Sequence, residues 1–318
     1  MVTSQSHYQI SRMAGMNLDH KLGPVCTVIV PIGPIDSGLE YLASWLSQID
    51  FGLIKVHLVH DVKNESDKLL VKKIVSNLDF ENLVLTTGKF GSPGAARNIG
   101  LETAKSDWVC FWDSDDIIDP RIFGLVLKEI TQDSDLIIGD YSLQTGQRNS
   151  VLQTPDPNDL QRSIALNPGI WRMIFNRDFI RNKRFKDFMM GEDQAFLVEL
   201  GIDSARIKYI DVAWYTYVRG SQSQLTRSKV AVDSLIATLS FTSQLIAKKG
   251  SSSSRFEQMI FAKLALTKVS SGTLNLRLSA LFSIFKLLSG LEFVFSMSLI
   301  RQMLNLYIYL VKRKFIEI

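Results

Sequence analysis

WVCFWDSDD, residues 108–116, runs five apolar side chains straight into three carboxylates within the next four positions. Successive residues of a strand point to opposite faces, so an unbroken apolar run suits a strand buried on both faces of a mostly parallel sheet. The acids that follow then stand at its carboxyl end. Like charges a few Å apart disfavour each other's ionised forms unless a cation or a donor compensates. The stretch therefore calls for something positive that its own residues do not supply.

Working outward, VCTVIVPI (25–32) is a second continuous β-branched run, stopped by Gly33 and Pro34. SGLEYLASWLSQI sets Leu39, Leu42, Trp45, Leu46 and Ile49 at helical spacing, and IKVHLVHD (54–61) predicts a strand ending on Asp61. DKLLVKKIVSNL reads as an amphipathic helix, LVLTTG as a short strand, and the loop FGSPG opens into the helix AARNIGLETAK. Strand and helix alternate four times up to residue 116, which predicts an α/β domain with a mostly parallel sheet. Ligands of such sheets gather at the carboxyl ends of the strands. Asp61 and the cluster Asp113, Asp115 and Asp116 fall there. Asp119 before Pro120 predicts a helix N-cap with proline at the first helical position. Asp116 is open between a loop or capping residue and a support for its neighbours.

The chain has 318 residues, 46% hydrophobic and 21% charged, which excludes general disorder and suits one large domain or two smaller ones. Its two cysteines, Cys26 and Cys110, sit in apolar runs without any CxxC or Cys/His spacing, so neither a zinc site nor a disulfide framework is expected. That points to a reducing compartment, the cytoplasm. Residues 1–24 carry no basic start followed by an apolar core, hence no secretory signal, and read as a loose extension. From Lys229 onward twelve Lys and Arg face four acids, a net +8 in a chain whose total is +4. A basic, apolar tail on an acidic body favours an anionic membrane surface or an acidic glycan over nucleic acid as partner. Lys286, Glu292 and Arg301 interrupt any run of about 20 apolar residues, the length that spanning needs. Two readings of the tail stay open: helices packed on the body, or a peripheral surface at the inner face of the membrane, anchored by Lys312, Arg313 and Lys314. The organisation expected is an extension over 1–24, an α/β domain over 25–227 and a helical region over 228–318.

VIVPI, LVHD, GSPGAARNIGLETAKSDWVCFWDSDD, GEDQAFLVEL and YTYVRGSQSQLT, in that order and spacing, resemble the family 2 glycosyltransferases of the GT-A fold from about Cys26 to Thr226. The resemblance implies an inverting transfer of a sugar from a nucleotide-diphosphate donor, a UDP-sugar first, to a hydroxyl of a glycan or lipid-linked glycan in cell-surface polysaccharide synthesis. It assigns Pro31 and Asp61 to the donor pocket, with Asp61 on the nucleobase, and Arg97 to the base or the diphosphate. Asp113 and Asp115 form its DxD pair, Asp115 on a Mn2+ or Mg2+ ion and Asp113 on the ribose and the ion's waters. Hard oxygen ligands suit those ions, which take one or two carboxylates and complete their shell from substrate phosphates and water. Asp193, in GED, matches the catalytic base. The chain departs from the family pattern at HDVKNESD, where His60 replaces an acid, and at PIGP, where an aromatic and an Asn are frequent.

Other readings compete. Glu192 and Asp193 also suit the positive end of a helix, His60 suits a packed strand, and Trp171, Tyr215, Tyr217 and Arg219 are read equally as core or as an acceptor surface. A sugar-phosphate nucleotidyltransferase would use a similar sheet, but PIGPIDSG lacks the lysine or arginine its phosphate loop needs. A nucleotide-sugar-binding protein without transferase activity would have no use for a base at Asp193.

Overall fold

The computed structural model describes residues 23–33, 39–76, 78, 81–146, 150–219, 229–249 and 253–270, with single helical positions at 281, 284, 300, 301, 303, 304 and 307. The extension over 1–22, the PIGP loop from Pro34, all of GSQSQLT and the basic run 312–314 lie outside them. In chain order the elements are β1 (Cys26–Ile32), α1 (Leu39–Leu46), β2 (Ile54–Asp61), α2 (Glu65–Ser76), β3 (Leu83–Gly88), α3 (Pro93–Thr103), β4 (Trp108–Phe111), β5 (Ile117–Ile118), α4 (Pro120–Lys128), β6 (Leu136–Thr145) and β7 (Val151–Gln153). There follow α5 (Leu160–Leu166), a 3-10 turn (Ile170–Arg172), β8 (Met173–Asn176), α6 (Arg177–Ile180), α7 (Glu192–Leu200), β9 (Ile207–Arg219), α8 (Lys229–Lys249) and α9 (Arg255–Ser270). They form two compact units: residues 1–157, 169–184 and 205–224, and residues 158–168, 185–204 and 225–318. Two segments of the span 25–227 thus cluster with the C-terminal helices.

The first unit is built on one sheet of order β3-β2-β1-β4-β8-β6-β9-β5, with β7 on β6. From β3 to β4 all neighbours are parallel, as the alternation of strand and helix requires. Beyond β4 the sheet is mixed: β8 runs antiparallel to both β4 and β6, β9 parallel to β6, and β5 antiparallel to β9. Pro31 fits inside a central strand because its backbone turns towards β4, whose pairing with β1 ends at Ile29 and Phe111, so no ladder bond is lost.

Both faces of β1 and β4 are buried. Cys26, Val28, Val30, Trp108, Cys110 and Trp112 join a core with Leu42, Trp45 and Leu46 of α1 and Phe123 and Val126 of α4. On the other face Ile29 meets α3, where a Cβ on Gly100 would fall 2.4 Å from Ile29 Cγ2, and Phe111 packs edge-on to Phe175 of β8. Glycine at 100 is what lets α3 approach β1 so closely. Burial also places the two thiols: Cys26 and Cys110 are fully covered and free, and desolvation pushes both up from the usual thiol range. His60 is fully buried in β2, a packed strand residue, and burial holds its imidazole below the usual value.

β6 bulges against β9 around Gly139 and Asp140, where Trp214 occupies the space a Cβ on Gly139 would need. Asp140 accepts hydrogen bonds from the Tyr209 hydroxyl at 2.8 Å and from Thr154 Oγ1 at 3.3 Å. Burial, with Asp211 adding to it, pushes its carboxyl up to about 6.

In the second unit α9 lies against α8 and α5, and α7 against α8. Leu235, Leu239 and Ile246 of α8 and Phe256, Ile260, Phe261 and Leu264 of α9 are buried, so the described part of the basic tail has an apolar core. Among the described residues no helix is long and apolar enough to cross a membrane.

Two measurements check this packing. Gly100→Ala should destabilise the protein by about 1–3 kcal/mol in urea, the usual range for overpacking. Gly124→Ala, inside α4 with no atom within 4 Å of the added methyl, should stabilise it by about 0.5–1 kcal/mol. The second test concerns pH. Asp140 binds its proton more tightly folded than unfolded, so its contribution to stability falls as pH rises from about 4, the unfolded value, to its folded value of about 6. Asp140→Asn should therefore lose less melting temperature than the wild type between pH 4.5 and pH 7.

Candidate functional site

The site is built at the end of β4. Trp112, one residue past the strand, donates its backbone N–H to Ile29 O at 3.1 Å and sets its indole edge-on to Trp45 at 5.4 Å and Phe123 at 4.8 Å. The chain is therefore fixed immediately before Asp113. A turn follows, closed by Asp116 N–H to Asp113 O at 3.4 Å, and Ile117 and Ile118 then pair with Thr216 and Tyr215 of β9. Asp119 caps α4, accepting from the backbone N–H of Arg121 and Ile122 with Pro120 next to it, as its sequence context predicts.

The missing positive charge comes from α3. Ser92 caps that helix, accepting from Ala95 N at 3.2 Å, with Pro93 at the first position. One turn on, the buried Arg97 donates from Nη2 to Asp113 Oδ1 at 3.0 Å. Among the described residues Asp116 has no cation of this kind but two hydrogen-bond donors. It is 1% exposed and accepts from the Tyr215 hydroxyl at 2.5 Å and from Val218 N at 2.7 Å. Burial first, then the charges of Asp113 and Asp115, hold its carboxyl well above the usual range, against the pull of those two hydrogen bonds. Burial and Asp116 likewise raise the Tyr215 phenol. Asp115 is half-buried in the same turn.

Asp61, at the end of β2, is engaged by the next loop: Phe90 N–H donates to Oδ1 at 2.8 Å and Gly91 N–H to Oδ2 at 2.9 Å. Gly91 has φ +81, the left-handed region, which turns its N–H inward. A carboxylate offers about four lone-pair sites, so two remain. Of the residues singled out from sequence, the fold brings Arg97 onto Asp113, sets Asp115 and Asp116 in the same turn, and closes the loop before α3 on Asp61. Pro31 lies just past the part of β1 that pairs with both β2 and β4.

Asp193 belongs to the second unit, where it is the half-buried second residue of α7. Gly191 precedes this helix with φ +86, and a Cβ there would approach Thr238 Cγ2 to 2.9 Å. Thr238 Oγ1 of α8 donates to Met190 O at 2.8 Å, which fixes the helix start within that unit.

Tyr215 and Val218 are what sequence reasoning did not attach to the acids. The only trace is the period-two aromatic pattern of Tyr215 and Tyr217 on a strand, which equally describes core. Trp171 stacks on both rings, at 4.7 Å and 5.5 Å.

The acids suit a hard divalent cation. Asp113 and Asp115 are oxygen donors in one turn, and their charge is felt by Asp116. Among the described residues no three His, Cys, Asp or Glu are grouped to hold a metal by themselves. An ion here would be completed by water and substrate phosphate, the habit of Mg2+ and Mn2+.

Residues 39–195 match the sequence model of glycosyl transferase family 2. The poly(ribitol-phosphate) β-N-acetylglucosaminyltransferase TarP of Staphylococcus aureus is 26% identical over 208 residues, 61% of this chain and 62% of TarP. The chain thus spans under two thirds of that relative's length. An uncharacterized glycosyltransferase of Haemophilus influenzae is 32% identical over 181 residues, 55% of this chain and 71% of its own length. Among solved structures, residues 1–349 of S. aureus TarS in complex with UDP-GlcNAc superpose with a TM-score of 0.61 at 17% identity, covering 84% of this chain and 81% of that one. At that identity the likeness concerns the fold.

The ion pair gives a test of its own. Arg97→Met should lower the unfolding free energy by about 1.5–3 kcal/mol, the range for hydrogen bonds to charged groups. Urea titration reads it, and an unmoved midpoint would mean that the pair adds nothing to stability.

Proposed function

This chain belongs to glycosyl transferase family 2, and from that premise we propose that it moves a sugar from a nucleotide-diphosphate donor to a hydroxyl of a glycan or lipid-linked glycan, with inversion, in cell-surface polymer synthesis. The observation that carries the reading is the turn after β4, where a strand buried on both faces delivers Asp113 and Asp115, with Arg97 alongside, to the carboxyl end of the parallel sheet. UDP is the first donor nucleotide to try. The fold neighbour TarS carries UDP-GlcNAc, and TarP is named for transfer of N-acetylglucosamine.

Each residue has a task in this scheme. Asp61 would accept the N–H of the base through the lone pairs its loop leaves over. Arg97 holds Asp113 and, as a planar fork, would approach the base or the diphosphate. Asp113 and Asp115 would hold Mn2+ or Mg2+, whose charge, when bound, offsets that building on the departing nucleotide diphosphate. Asp193 would take the proton of the acceptor hydroxyl. As that oxygen bonds to the anomeric carbon, the bond from that carbon to the diphosphate oxygen breaks on the opposite face, and the electron pair leaves with the nucleotide.

Calorimetry with UDP, with and without Mn2+, in the wild type and in Asp115→Asn, tests the donor half. Binding that needs both the ion and Asp115 supports it; equal metal-dependent binding of GDP instead moves the donor nucleotide; silence from every nucleotide overturns the reading. Asp193→Asn tests the base, with an expected loss of about 10²–10⁴-fold in kcat and UDP affinity unchanged.

A further inference from the structure

We propose that Tyr215 is a positioning residue for the acidic turn: its phenol, together with Asp116, forms a clasp that holds Asp113 and Asp115 in place for the ion and the nucleotide. The inference rests on the glycosyl-transfer reading and deepens it.

One oxygen serves both ends of the turn. Asp113 N–H donates to Tyr215 Oη at 3.2 Å, and the same hydroxyl donates to Asp116 Oδ2 at 2.5 Å. Val218 N–H takes the other oxygen of Asp116 at 2.7 Å, and the ladder of Ile117 and Ile118 with Thr216 and Tyr215 continues the connection. Take the phenol away and the direct bond that still joins Asp113 to Asp116 among the described residues is the 3.4 Å one from Asp116 N–H to Asp113 O. With 1% exposure and both oxygens taken, Asp116 straps the turn to β9 and leaves ligation to Asp113 and Asp115.

The clasp stands on a rigid base. Tyr215 is buried, and its ring stacks on Trp171 at 4.7 Å with the planes 15° apart. Trp171 in turn lies over Gly169, where an added Cβ would come within 2.5 Å of the indole. Three carboxylates left in a loose turn would spread to relieve their repulsion. Groups that orient a ligand shell from behind are worth about 10–100-fold in metal affinity or activity.

The same sheet supplies a matched control. Tyr209, also on β9, donates its hydroxyl to the buried Asp140 at 2.8 Å, in no contact with the acidic turn. Tyr215→Phe and Tyr209→Phe remove the same group from the same strand. Three readouts separate a clasp from a merely stabilising bond: Mn2+ binding by electron paramagnetic resonance without nucleotide, UDP affinity with Mn2+ by calorimetry, and donor KM against kcat. Tyr215→Phe should weaken Mn2+ and UDP about 10–100-fold and raise donor KM, whereas Tyr209→Phe should lower the melting temperature by a similar few degrees and leave all three readouts at wild-type values. Wild-type affinities in Tyr215→Phe, or an equal loss in Tyr209→Phe, overturn the clasp alone. A wild type that binds no nucleotide overturns the transfer reading and the clasp with it. Should Tyr215→Phe melt below the assay temperature, Asp116→Asn replaces it, with weakened Mn2+ binding supporting the clasp and wild-type binding overturning it.

Discussion

Three carboxylates in four residues, set at the end of a strand that cannot move, are the condition around which this fold is organised. Trp108 to Trp112 are buried on both faces of the sheet, so Asp113 to Asp116 have no freedom to retreat from one another by shifting the strand. Their repulsion is met by two devices of different kind. Arg97 brings a full charge from α3 to Asp113, and Tyr215 with Val218 surrounds Asp116 with donors. Asp115, half-buried, lies in the same turn.

Both devices need elements brought unusually close. α3 reaches the sheet because Gly100 has no side chain to strike Ile29, and that approach carries Arg97 to its partner. β9 reaches the turn over the stack of Trp171 with Tyr215 and Tyr217, which itself depends on Gly169. The glycines act as spacers. Each one sets how near an aromatic or aliphatic wall can stand, and those walls set where charge is allowed to lie.

The parallel half of the sheet was readable from the chain because its signals are local. Apolar runs of strand length, Gly and Pro stops, and the helical spacing of Leu42, Trp45 and Leu46 predict β1 to β4 and the helices between to within a few residues, and Asp119 with Pro120 marks the start of α4. The rest has no local signature. β5 is two residues long and β8 four, too short for periodicity to distinguish, and their order in the sheet is a matter of long-range pairing. The acidic turn was visible as chemistry, yet its neutralisation was not: neither the choice of Arg97 for Asp113 nor that of Tyr215 for Asp116 can be read from spacing. The α7 glycine cap with left-handed φ, likewise, is indistinguishable in sequence from any loop glycine.

The strap across the acidic turn joins residues 99 and 102 positions apart in the chain. A ribosome adding about 5–20 residues per second needs roughly 5–20 s to make that stretch. Through that interval the parallel core can already have assembled from β1 to β4, while the acids at its rim wait for a strand that has not yet emerged. The two bonds that strap the acidic turn therefore cannot both close until Val218 has been made.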